Sequence, residues 1–179
     1  MKLYESASRG VLEKWAFGFA PSGVLLCDLA SGEEIRETSL AAARVRPAES
    51  FPGEALEIRA YLAAGEAALA WEGAADTAVF SPLRRGLAAD YEGTVYLFRA
   101  FLRRLRPGLR LPKPVVCIRM QERATEVERI ALVDAGLQAG AGKVLLYREP
   151  LALLREYASQ RKELRRALAI HIETCEERE

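Results

Sequence analysis

Residues 112–150 decide the fold, and they read PKPVVCIRMQERATEVERIALVDAGLQAGAGKVLLYREP. Residues 115–118 form a short continuous apolar run after two prolines, a pattern typical of a strand that is buried on both faces. A second apolar run follows at residues 144–147, and Pro150 marks the start of a further helix. A helical pattern separates the two runs. The sequence therefore predicts a β-α-β unit, whose strands pair in parallel through a right-handed crossover.

The helix between the two runs has clear boundaries. Thr125 and Glu128 have the spacing of a capping box, which predicts that the helix begins at about Glu126. Gly140 supplies the left-handed residue that ends a helix. Residues Val116, Ile130 and Leu145 are expected to be buried between the sheet and the helices. The apolar face that the helix should bury consists of Val127, Ile130, Ala131, Val133 and Leu137.

Weaker signals surround this unit. The predicted elements are a β-hairpin at residues 15–20 and 24–29, a third strand between residues 35 and 45, an alanine-rich helix at 60–70, a strand at 77–80 and a helix capped by Asp90. One face of the last helix carries a basic cluster, for which a solvated surface is favoured over a contact with a phosphate-bearing or acidic partner. The cluster consists of Arg99, Arg103, Arg104, Arg106 and Arg110.

Three segments of the chain together resemble a known family. Residues 80–92, 115–129 and 139–150 are similar, in order and spacing, to segments in the first half of the MreB family, the bacterial actins that determine rod shape. The resemblance covers about residues 60–150. It implies an α/β domain of the ribonuclease-H-like, actin-like class. A single half of that fold is expected, in which a mixed sheet is flanked by helices.

The same resemblance implies that the nucleotide site is degenerate. The family's first turn carries an acidic residue and a Gly-Thr pair that hold metal and phosphates, but Gly18, Ala20 and Pro21 stand at those places. Proline has neither an N–H nor a hydroxyl to donate to a phosphate. Glu126 and Glu128 lie where the family has an acidic residue that positions water, but helix capping explains both without catalysis. The sequence therefore predicts no cofactor, no catalytic residue and no metal ligand.

Length, charge and cysteine content limit the functions to consider. The 179 residues suit one domain, and the net charge of +1 does not indicate nucleic acid as a partner. Three distant cysteines favour free thiols and a reducing cytoplasm. No apolar run approaches the roughly 20 residues of a membrane span, so no transmembrane segment is expected. His171, the single histidine, is expected to have a structural or solvent role.

The end of the chain is predicted to be separate from the actin-like domain. Residues 1–150 would form that domain, and residues 151–179 would form an amphipathic helix whose stripe runs from Leu151 to Ile172. Such a stripe must bury itself against its own domain or against a partner. The expected interaction residues are Leu154, Tyr157, Leu164, Leu168, Arg161 and Arg165.

Two main functions remain open, beside a weaker third, a peptide-binding adaptor like the actin-like proteins that dock membrane machinery. The first is a non-catalytic MreB-like protein of the cytoplasm that binds other proteins in cell-shape or envelope machinery, either a cytoskeletal filament or a second copy of itself. The alternative is a split actin-like ATPase, in which this half forms a nucleotide cleft with a second chain. An intact phosphate turn would favour the alternative, and Gly18, Ala20 and Pro21 argue against it.

Overall fold

A computed structural model describes residues 11–12, 22–47, 56–107 and 112–173. Three α-helices lie in these ranges: α1 (Tyr91–Leu105), α2 (Glu126–Ala139) and α3 (Leu151–Gln160), with a 3-10 helix at Gly65–Trp71. The strands are β1 (Val11–Leu12), β2 (Gly23–Asp28), β3 (Glu34–Thr38), β4 (Ala41–Pro47), β5 (Leu56–Ala64), β6 (Thr77–Phe80), β7 (Leu83–Arg84), β8 (Leu87–Ala88), β9 (Val115–Arg119), β10 (Lys143–Tyr147) and β11 (Leu168–Ile172).

The main sheet is mixed and has the strand order β10-β9-β11-β2-β3. β10 and β11 both run parallel to β9, whereas β11 is antiparallel to β2 and β2 to β3. The predicted β-α-β unit is confirmed, with Val115 opposite Lys143 and Arg119 opposite Tyr147. α2 packs in the core on one face of the sheet and α3 in the core on the other. Two right-handed crossovers that run in opposite directions across a sheet place their helices on opposite faces of it.

The strand β11 corrects the expected C-terminal helix. The helix ends at Gln160, and residues 168–172 form a strand in the middle of the main sheet. Leu164, Leu168 and Ile172 are spaced by four residues, which suits a helical stripe but also equals two periods of a strand. The run Ala167–Ile172 is apolar apart from His171, as in a strand with both faces covered. The expectation of one helix through Ile172 was therefore wrong.

A second sheet has the order β1-β6-β4-β5. The strand at Thr77–Phe80 is confirmed, and the region between residues 35 and 45 contains two strands, β3 and β4, rather than one. The alanine-rich segment was wrongly predicted: residues 60–64 continue β5, and only Gly65–Trp71 is helical, as a 3-10 helix. Alanine propensity is a weak preference that the pairing of β5 with β4 overrides.

Both edges of β2 are paired, by β3 on one side and β11 on the other. No edge of β2 is left for the expected β-hairpin with residues 15–20, so that expectation was wrong. Residues 15–20, together with Pro21, lie outside the described residues. No helix among the described residues combines the length and apolar character needed to cross a membrane.

The helix boundaries follow local signals, but the buried face of α2 does not follow the prediction. Gly140 ends α2 with a φ of 123°. Asp90 occupies the N-cap position of α1, but its side chain makes no capping hydrogen bond and instead accepts from the Tyr61 hydroxyl at 2.7 Å. The side of α2 that faces the sheet carries Leu132, Ala135, Gly136 and Ala139. Ile130 is 51% exposed, so its expected burial was wrong, whereas Val116 is buried and Leu145 half-buried.

Candidate functional site

The carboxyl edge of the parallel strands is where a ligand-binding site is expected in a sheet of this kind. In open α/β sheets, ligands bind outside the carboxyl ends of adjacent strands whose connections leave toward opposite faces. β9 leads to α2 on one face, and β10 leads to α3 on the other. The crevice defined by this rule lies between the residues that follow Arg119 and those that follow Tyr147.

Hydrogen bonds between the strand ends cross this crevice. Met120 is buried, and its backbone N–H donates to the carbonyl oxygen of Tyr147 at 2.9 Å. The guanidinium of Arg119 turns toward β11 and donates to the carbonyl oxygen of Ile172 at 3.1 Å. Arg119 at the end of β9 and Met120 directly after it therefore link the three parallel strands by hydrogen bonds at their carboxyl ends.

The acidic residues at the start of α2 both have structural partners. The Glu128 N–H donates to Oγ1 of Thr125 at 3.3 Å, and the Thr125 N–H donates back to Oε2 of Glu128 at 2.8 Å, so the predicted capping box is confirmed. The hydrogen bonds from Thr125 lower the pKa of Glu128 below its ordinary value. Glu126 forms an ion pair with Arg129 on the next turn. Each carboxylate thus serves the helix start.

An uncharged polar pair lies beside the crevice on the α3 face. The hydroxyl of Tyr147 and Nδ1 of His171 are hydrogen-bonded, 2.8 Å apart. Burial raises the pKa of Tyr147 well above its ordinary value. Burial, together with the charge of Arg119, lowers the pKa of His171. Both side chains are therefore neutral at pH 7, which suits a structural contact better than proton transfer.

Thiol and metal chemistry have little support in the described ranges. Burial raises the pKa of the Cys117 thiol to about 11 and also raises that of Cys27, so both stay protonated at neutral pH. Within residues 22–47, 56–107 and 112–173, no group of His, Cys, Asp or Glu side chains is arranged to hold a metal ion.

The six expected interaction residues divide into two groups. Leu154 and Leu164 are buried in the core between α3 and the sheet, and Leu168 is buried within β11. The other three residues, Tyr157, Arg161 and Arg165, are exposed. The guanidinium carbon of Arg161 lies 4.4 Å from the centre of the Tyr157 ring, a cation-π contact. Only these three lie where a partner can reach them directly.

An exposed apolar surface on α2 was missed by the sequence analysis. Val127 is 77% exposed, Ile130 51% and Leu137 40%, and these three residues are named here the α2 apolar face. Small residues on the opposite side of the helix allow close packing: a Cβ at Gly136 would meet a Val144 methyl at 2.7 Å. The cluster Ala135, Gly136 and Ala139 was the available signal for this helix orientation.

The chain is related to proteins of a known family. The MreB/Mbl protein family model matches residues 53–153, more than half of the chain. The chain belongs to the MreB/Mbl family. It is 33% identical over 72 residues to the cell shape-determining protein MreB of Haemophilus influenzae, a stretch that covers 40% of this chain and 20% of the relative.

Solved MreB structures share the fold of this chain. MreB5 of Spiroplasma citri bound to ADP matches with a TM-score of 0.54 and 24% identity, over 71% of this chain and 35% of that protein. The same protein bound to AMPPNP matches with the same TM-score and coverage. The actin-like fold class is thereby confirmed. The chain spans about a third of that structure and a fifth of the curated relative.

The residues that match the MreB/Mbl family model include only some strands of the main sheet. β9, α2 and β10 lie within the matched residues 53–153, as does α1. β2, β3 and β11 lie outside them. The resemblance seen in residues 80–92, 115–129 and 139–150 is confirmed, and the α2 apolar face lies inside the family segment.

Proposed function

We propose that this MreB/Mbl family member is a non-catalytic actin-fold protein of the cytoplasm that binds other proteins in cell-shape or envelope machinery. The observation that carries the proposal is the α2 apolar face. Three large apolar side chains on one side of one helix are 40–77% exposed, whereas the small residues of that helix face the sheet. Large exposed apolar side chains grouped on one face of a helix, here with the exposed Asp134 among them, are a mark of protein interaction sites.

The chemistry of the carboxyl edge supports binding over catalysis. Glu126 and Glu128 are engaged by Arg129 and Thr125, and Arg119 is engaged by the backbone of β11. A nucleotide cleft needs donors directed at phosphates and carboxylates free to hold magnesium. Each of these three groups instead contacts another residue of the protein.

The two described thiols are compatible with a reducing compartment. Ala169 of β11 pairs with Cys27 on one side and with Cys117 on the other, so one strand separates the two cysteines. Two strand spacings are roughly 9.6 Å, whereas a disulfide needs Cα atoms within about 7 Å. Both thiols are free and buried, as a cytoplasmic protein allows.

The test is co-sedimentation with filaments of a full-length MreB from the same cells. We expect the chain to pellet with the filaments and Ile130→Glu to remain in the supernatant, because the added charge blocks burial of the α2 apolar face. Glu122→Gln is the matched control, since it changes an exposed polar residue near the helix start. Equal pelleting of Ile130→Glu and the parent chain would remove the support for this surface.

A nucleotide titration separates the proposal from a split ATPase. We expect calorimetry with Mg-ATP to show no binding at micromolar strength, since Arg119, Glu126 and Glu128 at the carboxyl edge already have partners within the protein. A dissociation constant of about 10 μM or tighter, on the order of 7 kcal/mol, would instead favour the split ATPase.

A further inference from the structure

β10 is an edge strand of the main sheet, and no strand in the described part of the chain pairs with its outer side. Its sequence, Lys143–Tyr147, is apolar except for Lys143. The opposite edge, β3, carries Glu34 and Arg36, which form ion pairs with Arg155 and Glu173. Charges of this kind discourage edge-to-edge pairing. β10 has much weaker protection of this kind than β3.

The backbone direction of β10 is fixed by its bonds to β9. The carbonyl oxygen of Tyr147 accepts from the Met120 N–H, so the polar backbone groups of Tyr147 point toward β9. Alternation along a strand then directs the groups of Lys143 and Leu145 the same way. The N–H and C=O groups of Val144 and Leu146 point outward. These are the groups that a further strand would bind.

We propose that β10 pairs with the same strand of a second copy of this chain, antiparallel about a two-fold axis at Leu145. In this register, Val144 of each copy lies opposite Leu146 of the other, and the outward groups exchange about four hydrogen bonds. Leu145 faces Leu145 of the second copy. An isologous contact of this kind closes on itself and joins the two five-stranded sheets into one.

Charge complementarity favours a second copy over an unrelated strand. The register places Lys143 opposite Tyr147 of the second copy, and Glu149 follows two residues later, in the bend after β10 ends. A long side chain such as that of lysine can span a distance of two residues across an antiparallel pair. Lys143 and Glu149 are both exposed and form no salt bridge in the described residues; Oε2 of Glu149 accepts from the Arg148 N–H at 3.0 Å, which leaves its other oxygen available. Two-fold symmetry forms the Lys143–Glu149 pair twice.

The surface beside the edge also fits this partner. A cavity of about 480 Å³ opens between β10 and α3, and Leu145, Tyr147, Glu149 and Tyr157 contribute to its lining. Leu153, at its rim, is 52% exposed, and Tyr157 is 47% exposed. The aliphatic stem of Lys143 from the second copy would cover this apolar cavity while its ammonium approaches Glu149.

This self-association goes beyond the proposed function, because it uses β10 rather than the α2 apolar face. Sedimentation equilibrium of the full chain should give twice the 19.8 kDa chain mass at tens of micromolar. Lys143→Glu should weaken the dimer about tenfold, because both ion pairs become repulsive. Lys143→Glu combined with Glu149→Lys should restore it to within about threefold. Both positions are exposed, so folding should be preserved.

Cross-linking tests the register directly. Leu145→Cys, in a chain with Cys175→Ser, should form a disulfide-linked dimer on mild oxidation, because facing residues at a two-fold axis have Cα atoms about 4.5–5.5 Å apart. Lys143→Cys is the matched control and should not cross-link, since Tyr147 of the second copy lies opposite it.

Three results would overturn the pairing. The first is a monomer at every concentration. The second is a dimer that neither responds to Lys143→Glu nor cross-links through Leu145→Cys. A dimer that Ile130→Glu dissociates while Lys143→Glu leaves it intact would assign self-association to the α2 apolar face and also overturn it. If the parent chain forms the β10 dimer but does not pellet with MreB filaments, that result would count against the proposed function alone.

Discussion

The hydroxyl of Tyr147 lies 2.8 Å from Nδ1 of His171, and this contact spans β9, the strand between them. Tyr147 ends β10, and His171 lies in β11, so the bond joins the two strands that flank β9 on the α3 face. The central position of β11 thereby gives the only histidine of the sequence a half-buried place in the sheet. Its protonation is consequently linked to folding.

Acid should destabilise the protein through His171. Burial, followed by the charge of Arg119, lowers its folded pKa, so the unfolded chain binds more protons below about pH 6.5. Stability is then fully present above that value and is lost as the pH falls toward the folded pKa. Thermal melts between pH 7.5 and 5 should show this loss in the parent chain and a smaller loss in His171→Gln. Equal slopes in the two proteins would exclude His171 as the source.

The central strand should be indispensable for folding. Leu168, Ile170 and Ile172 are at most 1% exposed. At about 1.5–3 kcal/mol for each buried side chain, their loss approaches the 5–15 kcal/mol stability of a typical domain. A chain that ends at Ser159 should therefore show no cooperative melting by circular dichroism. A chain that ends at Glu173 is the control and should melt cooperatively. Cooperative melting of the shorter chain would mean that β11 is dispensable.

Local sequence signals predicted the β-α-β unit, whereas the place of β11 depends on strand pairing between residues that are far apart in the sequence. Thr125, Glu128 and Gly140 fix the ends of α2 through contacts within a few residues, so the sequence displays them directly. The place of β11 depends on pairing with β2 and β9, which are distant in the sequence. A spacing of four between Leu164, Leu168 and Ile172 fits a helix and a strand equally well.

The candidate site was predictable only in part, for a related reason. The structural role of the acids at the start of α2 followed from the capping box alone. The α2 apolar face did not, because large side chains such as Ile130 were expected to be core. Gly136 instead brings the helix so close to Val144 that small residues occupy the contact. The short distance between α2 and the sheet, rather than the hydrophobicity of the side chains, therefore determines which face of α2 is buried.

The orientation of α2 makes a ranking of two substitutions testable. Leu132 is fully buried, so Leu132→Ala should lower the free energy of unfolding by roughly 2–5 kcal/mol. Ile130 is about half exposed, and Ile130→Ala should cost less than about 1 kcal/mol. Urea denaturation of both variants measures the difference. The reverse order would show that the helix is rotated from the orientation described here.

Glu37 in β3 carries a buried carboxylate that lies against the start of the 3-10 helix. The side chain of Glu37 is 1% exposed, Arg104 approaches its Oε1 at 2.6 Å, and the Glu66 N–H donates to its Oε2 at 2.9 Å. The Arg104 contact is not aligned as a hydrogen bond, so its contribution is mainly the attraction of opposite charges. Arg104→Gln should therefore destabilise the fold by about 1–3 kcal/mol, because it leaves a buried charge with one backbone donor. Adding Glu37→Gln should recover most of that loss, since an amide oxygen still accepts from Glu66 without a charge to compensate. Urea denaturation of the two single variants and the double variant gives the coupling, and strictly additive effects would show that Arg104 does not stabilise the Glu37 carboxylate.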